Sequence, residues 1–297
     1  MKRILIGSAL ILTLAGCSLI PEYQRPASPV ADGWPQGEGY ASAEAAASAE
    51  ALAPPPAWQN FFRDEQLRNL IDVALENNRD LRVAALNVEA TRALYRIQRA
   101  DRLPSISADA GGNRTRTPYD LNGTTQSGIT SQYSATLGVA WEVDLFGRLG
   151  SLQQQALEEY LATEAAQRSV QVSLIASVAN TYLLWQADQA LLQATQDTLA
   201  TYDESLRVTQ RSFDVGVASS LELTQARTAV ETARSSLARY TRVVAEGRNA
   251  LALLLGQRVP VLPAEQPQLS TELLAELPVG LPSNVLLQRP DILQAEY

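Results

Sequence analysis

Histidine is absent from the 297 residues, and cysteine occurs once, at Cys17. These absences exclude disulfides, imidazole acid–base chemistry and nearly every zinc, copper or iron site. If Cys17 is consumed by modification, thiol catalysis is excluded as well. Lysine occurs only at Lys2, and the net charge is -8 from 24 basic and 32 acidic residues. Loss of Lys2 and Arg3 with a leader leaves 22 basic against 32 acidic, or -10. So acidic a chain lacks the basic patches that nucleic acid requires. Carboxylates remain as possible catalytic groups, but no Asp/Glu pair stands apart from ordinary solvated charges. The expectation is a protein that is not an enzyme, with no catalytic residue, no metal, no cofactor and no nucleic-acid partner. Its length fits one or two domains.

What is present begins at the N-terminus. Lys2 and Arg3 precede an apolar run from Ile4 to Leu14, which Leu14-Ala15-Gly16-Cys17 closes with small residues. About eleven apolar residues are too few to span a bilayer as a helix, so the run reads as an export signal. An ordinary signal peptide ending near a cysteine would share these features. The Leu-Ala-Gly-Cys ending, with the sole cysteine at the cleavage position, resembles the lipobox of bacterial lipoproteins. That resemblance implies removal of residues 1–16 and lipidation of Cys17 with fatty acyl chains such as palmitate. Ser18, a non-acidic residue after the cysteine, implies sorting to the outer membrane.

Residues 17–60 read as an extended arm. Pro21, Pro26, Pro29 and Pro35 interrupt helix, and Ala41–Ala53 is low-complexity Ala/Ser/Glu sequence ahead of Pro54-Pro55-Pro56. Over 61–103 the pattern becomes helical. Leu67, Leu70, Ile71, Ala74, Leu81, Ala84, Ala85, Val88 and Leu94 recur at helical spacing without glycine or proline, which predicts one helix from Asp64 to about Arg102. Leu103-Pro104 ends it.

Over 104–146 the period is two. Ile106, Ala108 and Ala110 alternate with Ser105, Ser107 and Asp109. After a polar, Gly/Asn/Thr-rich segment from about Gly111 to Gly128 that reads as a loop, Tyr133, Ala135, Leu137, Val139, Trp141 and Val143 alternate with small and polar residues. About eleven residues of such alternation let a tilted strand cross a bilayer, with Leu137 and Val139 facing lipid. A half-buried hairpin in a soluble sheet has the same pattern. Trp141 suits either an aromatic belt at a membrane boundary or ordinary packing at a strand end.

Residues 147–255 read as an αα-hairpin. No proline occurs from Gly147 to Asp214, and about 68 residues at 1.5 Å each make a helix of about 100 Å. One apolar stripe runs through Leu174, Val178, Tyr182, Trp185, Leu192, Leu199 and Leu206. A second runs beside it through Ile175, Ala179, Leu183, Ala187, Leu191 and Ala194. Two stripes suit a helix packed on both sides in a wall of helices, whereas a two-helix coiled coil needs one seam. Val215-Gly216-Val217 breaks the helix, with Gly216 suited to the left-handed position after a helix end. Ser219-Ser220-Leu221-Glu222 is a capping box that starts a return helix reaching about Leu255, so 215–220 forms a tight tip. The first and return helices, about 39 residues each, together match the long helix in length.

From 256 to 297 the chain is Pro-rich and then begins to repeat. Leu75, Asp80, Leu81 and Ala84 match Leu286, Asp291, Ile292 and Ala295 at a constant offset of about 211 residues. Four matches in about ten residues are also compatible with chance.

The whole chain resembles the TolC-like outer membrane factors, in the lipoprotein subgroup that serves RND-type efflux pumps. The resemblance rests on the lipobox, Pro21-Glu22-Tyr23-Gln24-Arg25-Pro26, Trp58-Gln59-Asn60-Phe61-Phe62-Arg63-Asp64-Glu65-Gln66-Leu67 and, most specifically, Trp141-Glu142-Val143-Asp144-Leu145-Phe146-Gly147-Arg148. Leu281-Pro282-Ser283 with Gln288-Arg289-Pro290-Asp291-Ile292 resembles the start of the family's second repeat. It implies a mainly α fold with a β-hairpin: a long α-helical coiled-coil barrel forming a periplasmic tunnel, plus transmembrane β-barrel strands completed by trimerisation. The implied partners of the homotrimer are outer membrane lipid, a periplasmic adaptor protein and, through it, an inner-membrane RND transporter. Function would be passive conduction of drugs or other small molecules, from a lipid-anchored position in the outer membrane reaching into the periplasm. By the same resemblance Val215, Gly216, Val217, Ser219 and Leu221 form the adaptor-binding tip. Trp141, Asp144, Gly147 and Arg148 form the strand-to-helix junction at the membrane boundary. Only the first repeat and the start of a second are present, so a fragment of a longer protein is expected, with a single-repeat ring as the rival. The other function class is a non-conducting coiled-coil structural lipoprotein or adhesin, which would have no need of a lipid-facing hairpin.

Overall fold

Asp64 begins the first long helix by turning its carboxylate onto the backbone. Its Oδ1 accepts from the N–H groups of Gln66 (2.7 Å) and Leu67 (3.2 Å), which satisfies two of the donors that every helix start leaves open. The structure, a computed structural model, describes residues 23–27, 29, 57–117, 128–259, 273–275 and 283–297. Cys17, the signal segment, most of the arm, the hairpin loop and most of the Pro-rich stretch lie outside the described residues. The elements are α1 (Trp58–Phe61), α2 (Glu65–Asn77), α3 (Arg79–Ala100), β1 (Ser105–Thr117), β2 (Gly128–Ala140), α4 (Arg148–Asp214), α5 (Ser220–Leu255), a 3-10 turn (Ser283–Gln288) and α6 (Pro290–Glu296). They fall into two units, one of Met1–Ala27, Val88–Thr163 and Tyr297, the other of Ser28–Asn87 and Glu164–Glu296.

In the second unit the apolar stripes meet. Leu67, Leu70, Ile71 and Ala74 of α2 pack with Leu174, Val178 and Tyr182 of α4 and with Leu251 and Leu255 of α5. Each large apolar side chain removed from water in this way contributes about 1.5–3 kcal/mol. The Tyr182 hydroxyl donates to Asp64 Oδ2 at 2.9 Å, so the group that caps α2 also ties it to α4. An extended segment seals the edge: Phe62 bridges Leu274, and Arg63 N–H donates to Leu273 O at 2.9 Å. Farther along, α4 and α5 are joined by Arg227 to Gln210 (2.9 Å) and Arg234 to Asp203 (3.4 Å). Of the two stripes on α4, Leu192, Leu199 and Leu206 are half-buried, whereas Leu191 and Ala194 of the second stripe stay exposed.

The uninterrupted helix expected from Asp64 to Arg102 is instead two helices, broken at Asn78. Its ψ of 133° is extended. Its side chain replaces what the break removes. Oδ1 accepts from Leu81 N–H (2.9 Å), capping α3, and Nδ2 donates to Leu254 O (2.8 Å), an open carbonyl at the end of α5. Positions aligned by the offset take corresponding places in the elements. Asn77 and Gln288, aligned by the offset, each end an element, and α3 and α6 start at the aligned Arg79 and Pro290. Proline is compatible with a first helical position because that N–H has no helical partner.

Candidate membrane hairpin and docking tip

The hairpin belongs to the first unit. β1 and β2 pair antiparallel from Ser105↔Ala140 to Thr117↔Gly128, so residues opposite each other share a face. One face carries Ile106, Ala108, Ala110, Tyr133, Leu137 and Val139. The other carries Ser105, Ser107, Asp109, Thr136, Gln132 and Gly138. The apolar face is bare, with Tyr133 84% and Leu137 74% exposed. β1 extends through Gly111–Thr117, a stretch expected to be loop, because ladder bonds need only backbone groups and not apolar alternation. Conversely β2 stops at Ala140, although alternation continues through Trp141 and Val143: Ala140 pairs with Ser105, and the next position on the partner is Pro104, which has no N–H to donate. The Tyr133 ring lies over Gly112, whose missing Cβ would come within 3.1 Å of it.

Past the strand, the Trp141 indole N–H donates to Arg102 O at 3.3 Å. Gly147 precedes α4 at φ 74°, a conformation that favours glycine, and it has no side chain with which to cap the helix. Asp144 takes over: its Oδ2 accepts from Gly150 N–H at 2.8 Å. That backbone bond holds the Asp144 carboxyl below the usual carboxylate range, assisted by the N–H groups of Leu149 and Arg148. Arg148 forks onto the Glu142 carboxylate with bonds of 2.6–3.0 Å, which raises the guanidinium pKa further. Asp144, Gly147 and Arg148 thus meet at the start of α4, whereas Trp141 is tied instead to Arg102. Glu142, the partner of Arg148, was not singled out from the sequence, where it reads as one more solvated position in an alternating run.

The tip is a Schellman turn. Gly216 has φ 78°, its N–H reaches Phe213 O (2.9 Å), and Val217 N–H reaches Ser212 O (2.8 Å). Such turns normally bury the residue after the glycine against a residue one turn back. Here the position one turn back is Ser212, and Val217 is left 81% exposed, with Val215 75% and Leu221 also bare. Ser219 and Glu222 form the reciprocal capping box, Ser219 N–H to Glu222 Oε2 at 2.6 Å and Glu222 N–H to Ser219 Oγ at 3.3 Å. Among the described residues no helix is long and apolar enough to cross a membrane.

A chain of long helices with an antiparallel hairpin of 13-residue strands has counterparts among known proteins. The model of a family described as outer membrane efflux protein matches residues 70–257. The chain belongs to the outer membrane efflux protein family. It is 54% identical over 297 residues to the toluene efflux pump outer membrane protein TtgC of Pseudomonas putida, covering 100% of this chain and 61% of the relative. It is 41% identical over 292 residues to the outer membrane protein OprJ of Pseudomonas aeruginosa, covering 96% and 59%. Among solved structures it matches CusC, studied for folding and transmembrane channel formation, with a TM-score of 0.78 and 37% identity over 94% of this chain and 60% of that one. The open-state MtrE outer membrane channel of Neisseria gonorrhoeae matches with a TM-score of 0.73 and 33% identity over 94% and 62%. The chain therefore spans about three fifths of the length of these relatives, and its mainly helical fold with an antiparallel hairpin is the fold of outer-membrane channel structures.

Proposed function

We propose that this chain is part of a homotrimeric outer-membrane channel that passively conducts drugs or other small molecules outward in a tripartite efflux system. In this reading 104–146 contributes two strands to a shared transmembrane barrel, and 61–103 with 147–255 forms part of a periplasmic tunnel. The tip at 215–220 docks a periplasmic adaptor that links the channel to an inner-membrane RND transporter. Residues 256–297 lead into a second repeat, and Cys17 carries the lipid anchor.

The observation that carries the proposal is the two-faced hairpin. A bare face of Ile106, Leu137, Val139 and Tyr133 cannot remain in water without a cover, and the opposite face offers a polar wall for a lumen. The part of the second stripe that stays exposed, at Leu191 and Ala194 of α4, leaves a seam for neighbouring helices beyond those of this chain. Leu137→Arg in the intact protein should impair insertion by about 2–4 kcal/mol near the midplane, read as the yield of inserted trimer. Thr136→Arg on the other face should insert normally. Normal insertion of Leu137→Arg would put that face in water. Conduction itself is tested in cells lacking their own outer-membrane efflux component, where the intact protein should lower accumulation of a pump substrate.

A further inference from the structure

The register places two arginines where an apolar face should continue. Arg114 and Arg116 stand opposite Ser131 and Ile129, on the same face as Ile106, Ala108, Leu137 and Val139. Both are exposed, and both lie beyond the Tyr133–Gly112 pair on the side of the hairpin loop. The opposite face at this level carries Asn113, Thr115, Gln132 and Thr130, with no charge. Asp109, the acidic residue of the strands among the described residues, points to that opposite face. Positive charge is therefore concentrated on one side of one rim.

We infer that Arg114 and Arg116 bind the phosphate groups of phosphorylated lipid in the outer leaflet, clamping the barrel rim to its lipid annulus. This rests on the reading of the hairpin as membrane-spanning. The spacing fits. Ile106 to Arg114 is about 27 Å along a strand, or roughly 20 Å of height at a 40° tilt, close to the ~25 Å apolar band of such barrels. Arg114 then stands about 5 Å above the tyrosine level and Arg116 about 10 Å, depths that bracket the headgroup layer. A guanidinium fork meets two phosphate oxygens at once, which the point charge of lysine does not.

The test uses the intact protein purified in neutral detergent, with retained lipid counted by native mass spectrometry. Probes are a diphosphorylated glycolipid such as lipid A, phosphatidylcholine, and inorganic phosphate. Lipid A should bind in preference to phosphatidylcholine, weakening roughly fivefold for each arginine replaced in Arg114→Gln and Arg116→Gln. The Arg114→Lys/Arg116→Lys double variant should retain part of the preference. Equal lipid A binding by the parent and the double glutamine variant overturns the inference, and so does equal competition by inorganic phosphate, which would make the ligand a free anion. Failure here while Leu137→Arg still blocks insertion removes the lipid clamp alone; normal insertion of Leu137→Arg removes the membrane reading beneath it.

Discussion

Two helix ends in this molecule use the same backbone device in opposite surroundings. Gly216 after α4 and Gly256 after α5 both take left-handed conformations, at φ 78° and 67°. A Cβ on Gly216 would meet nothing within 4 Å, whereas one on Gly256 would stand 2.3 Å from the carbonyl oxygen of Asn77. The first glycine serves only the turn. The second also serves a close approach of two chain segments, which Asn78 then fastens to Leu254. Equal conformational demand therefore does not mean equal function: Gly256 holds a packed junction together, and Gly216 presents side chains that nothing among the described residues covers.

The largest effect should come from Gly256→Ala. The left-handed conformation costs a side chain about 1 kcal/mol, and an overlap with backbone, which cannot swing aside, adds about 2 kcal/mol. Chemical unfolding of the intact protein should show a loss near 3 kcal/mol; a loss no greater than that of Gly216→Ala would erase the distinction. Asn78→Ala is expected next. It removes the cap on α3 and leaves the Leu254 carbonyl without its donor, for about 2 kcal/mol in the same assay.

The junction and the tip differ in how much of them can be read from sequence. Gly216 between exposed valines, followed by a Ser-x-x-Glu box, declares both the turn and its cap. Asn78 went unread because no glycine or proline marks the break. Its signal was an asparagine just ahead of Arg79-Asp80-Leu81, with acidic Asp80 falling in the first turn of α3. Alternation found the apolar half of the hairpin and missed Gly111–Thr117, where backbone bonds alone carry the pairing. It also overran at Trp141–Val143, where the chain keeps its period but Pro104 offers no donor. Apolar periodicity reports where side chains are covered, by protein or by lipid. It is silent where main-chain groups or a single amide set the geometry.

At the tip the comparison predicts a separation of stability from docking. Gly216→Ala should cost only about 1 kcal/mol, from the left-handed conformation. Val217→Asp should leave unfolding unchanged, because Val217 contacts solvent and not a core. Yet, on the proposed docking, it should weaken crosslinking to a periplasmic adaptor about tenfold, since an apolar anchor would be replaced by a charge. Full crosslinking with Val217→Asp would leave those valines without a partner.

The smallest effects belong to the caps. Ser219→Ala should cost about 1 kcal/mol and loosen only the start of α5. The Glu222 carboxyl is held below its usual range, chiefly by the Ser219 N–H and then by the Ser219 side chain. A carboxylate depressed in the folded state stabilises above its unfolded pKa, near 4.3, and that contribution disappears as pH falls through the folded value. Amide-exchange protection at the start of α5 should therefore be level between pH 6 and 5 and decline below about 4. Asp144 at the start of α4 should behave alike, because Gly150 N–H depresses it in the same way. Glu222→Gln keeps an acceptor but cannot titrate, so it should flatten the decline at α5 and leave that at α4 untouched. If the decline at α5 persisted in Glu222→Gln, acid would be acting there through some group other than the Glu222 cap.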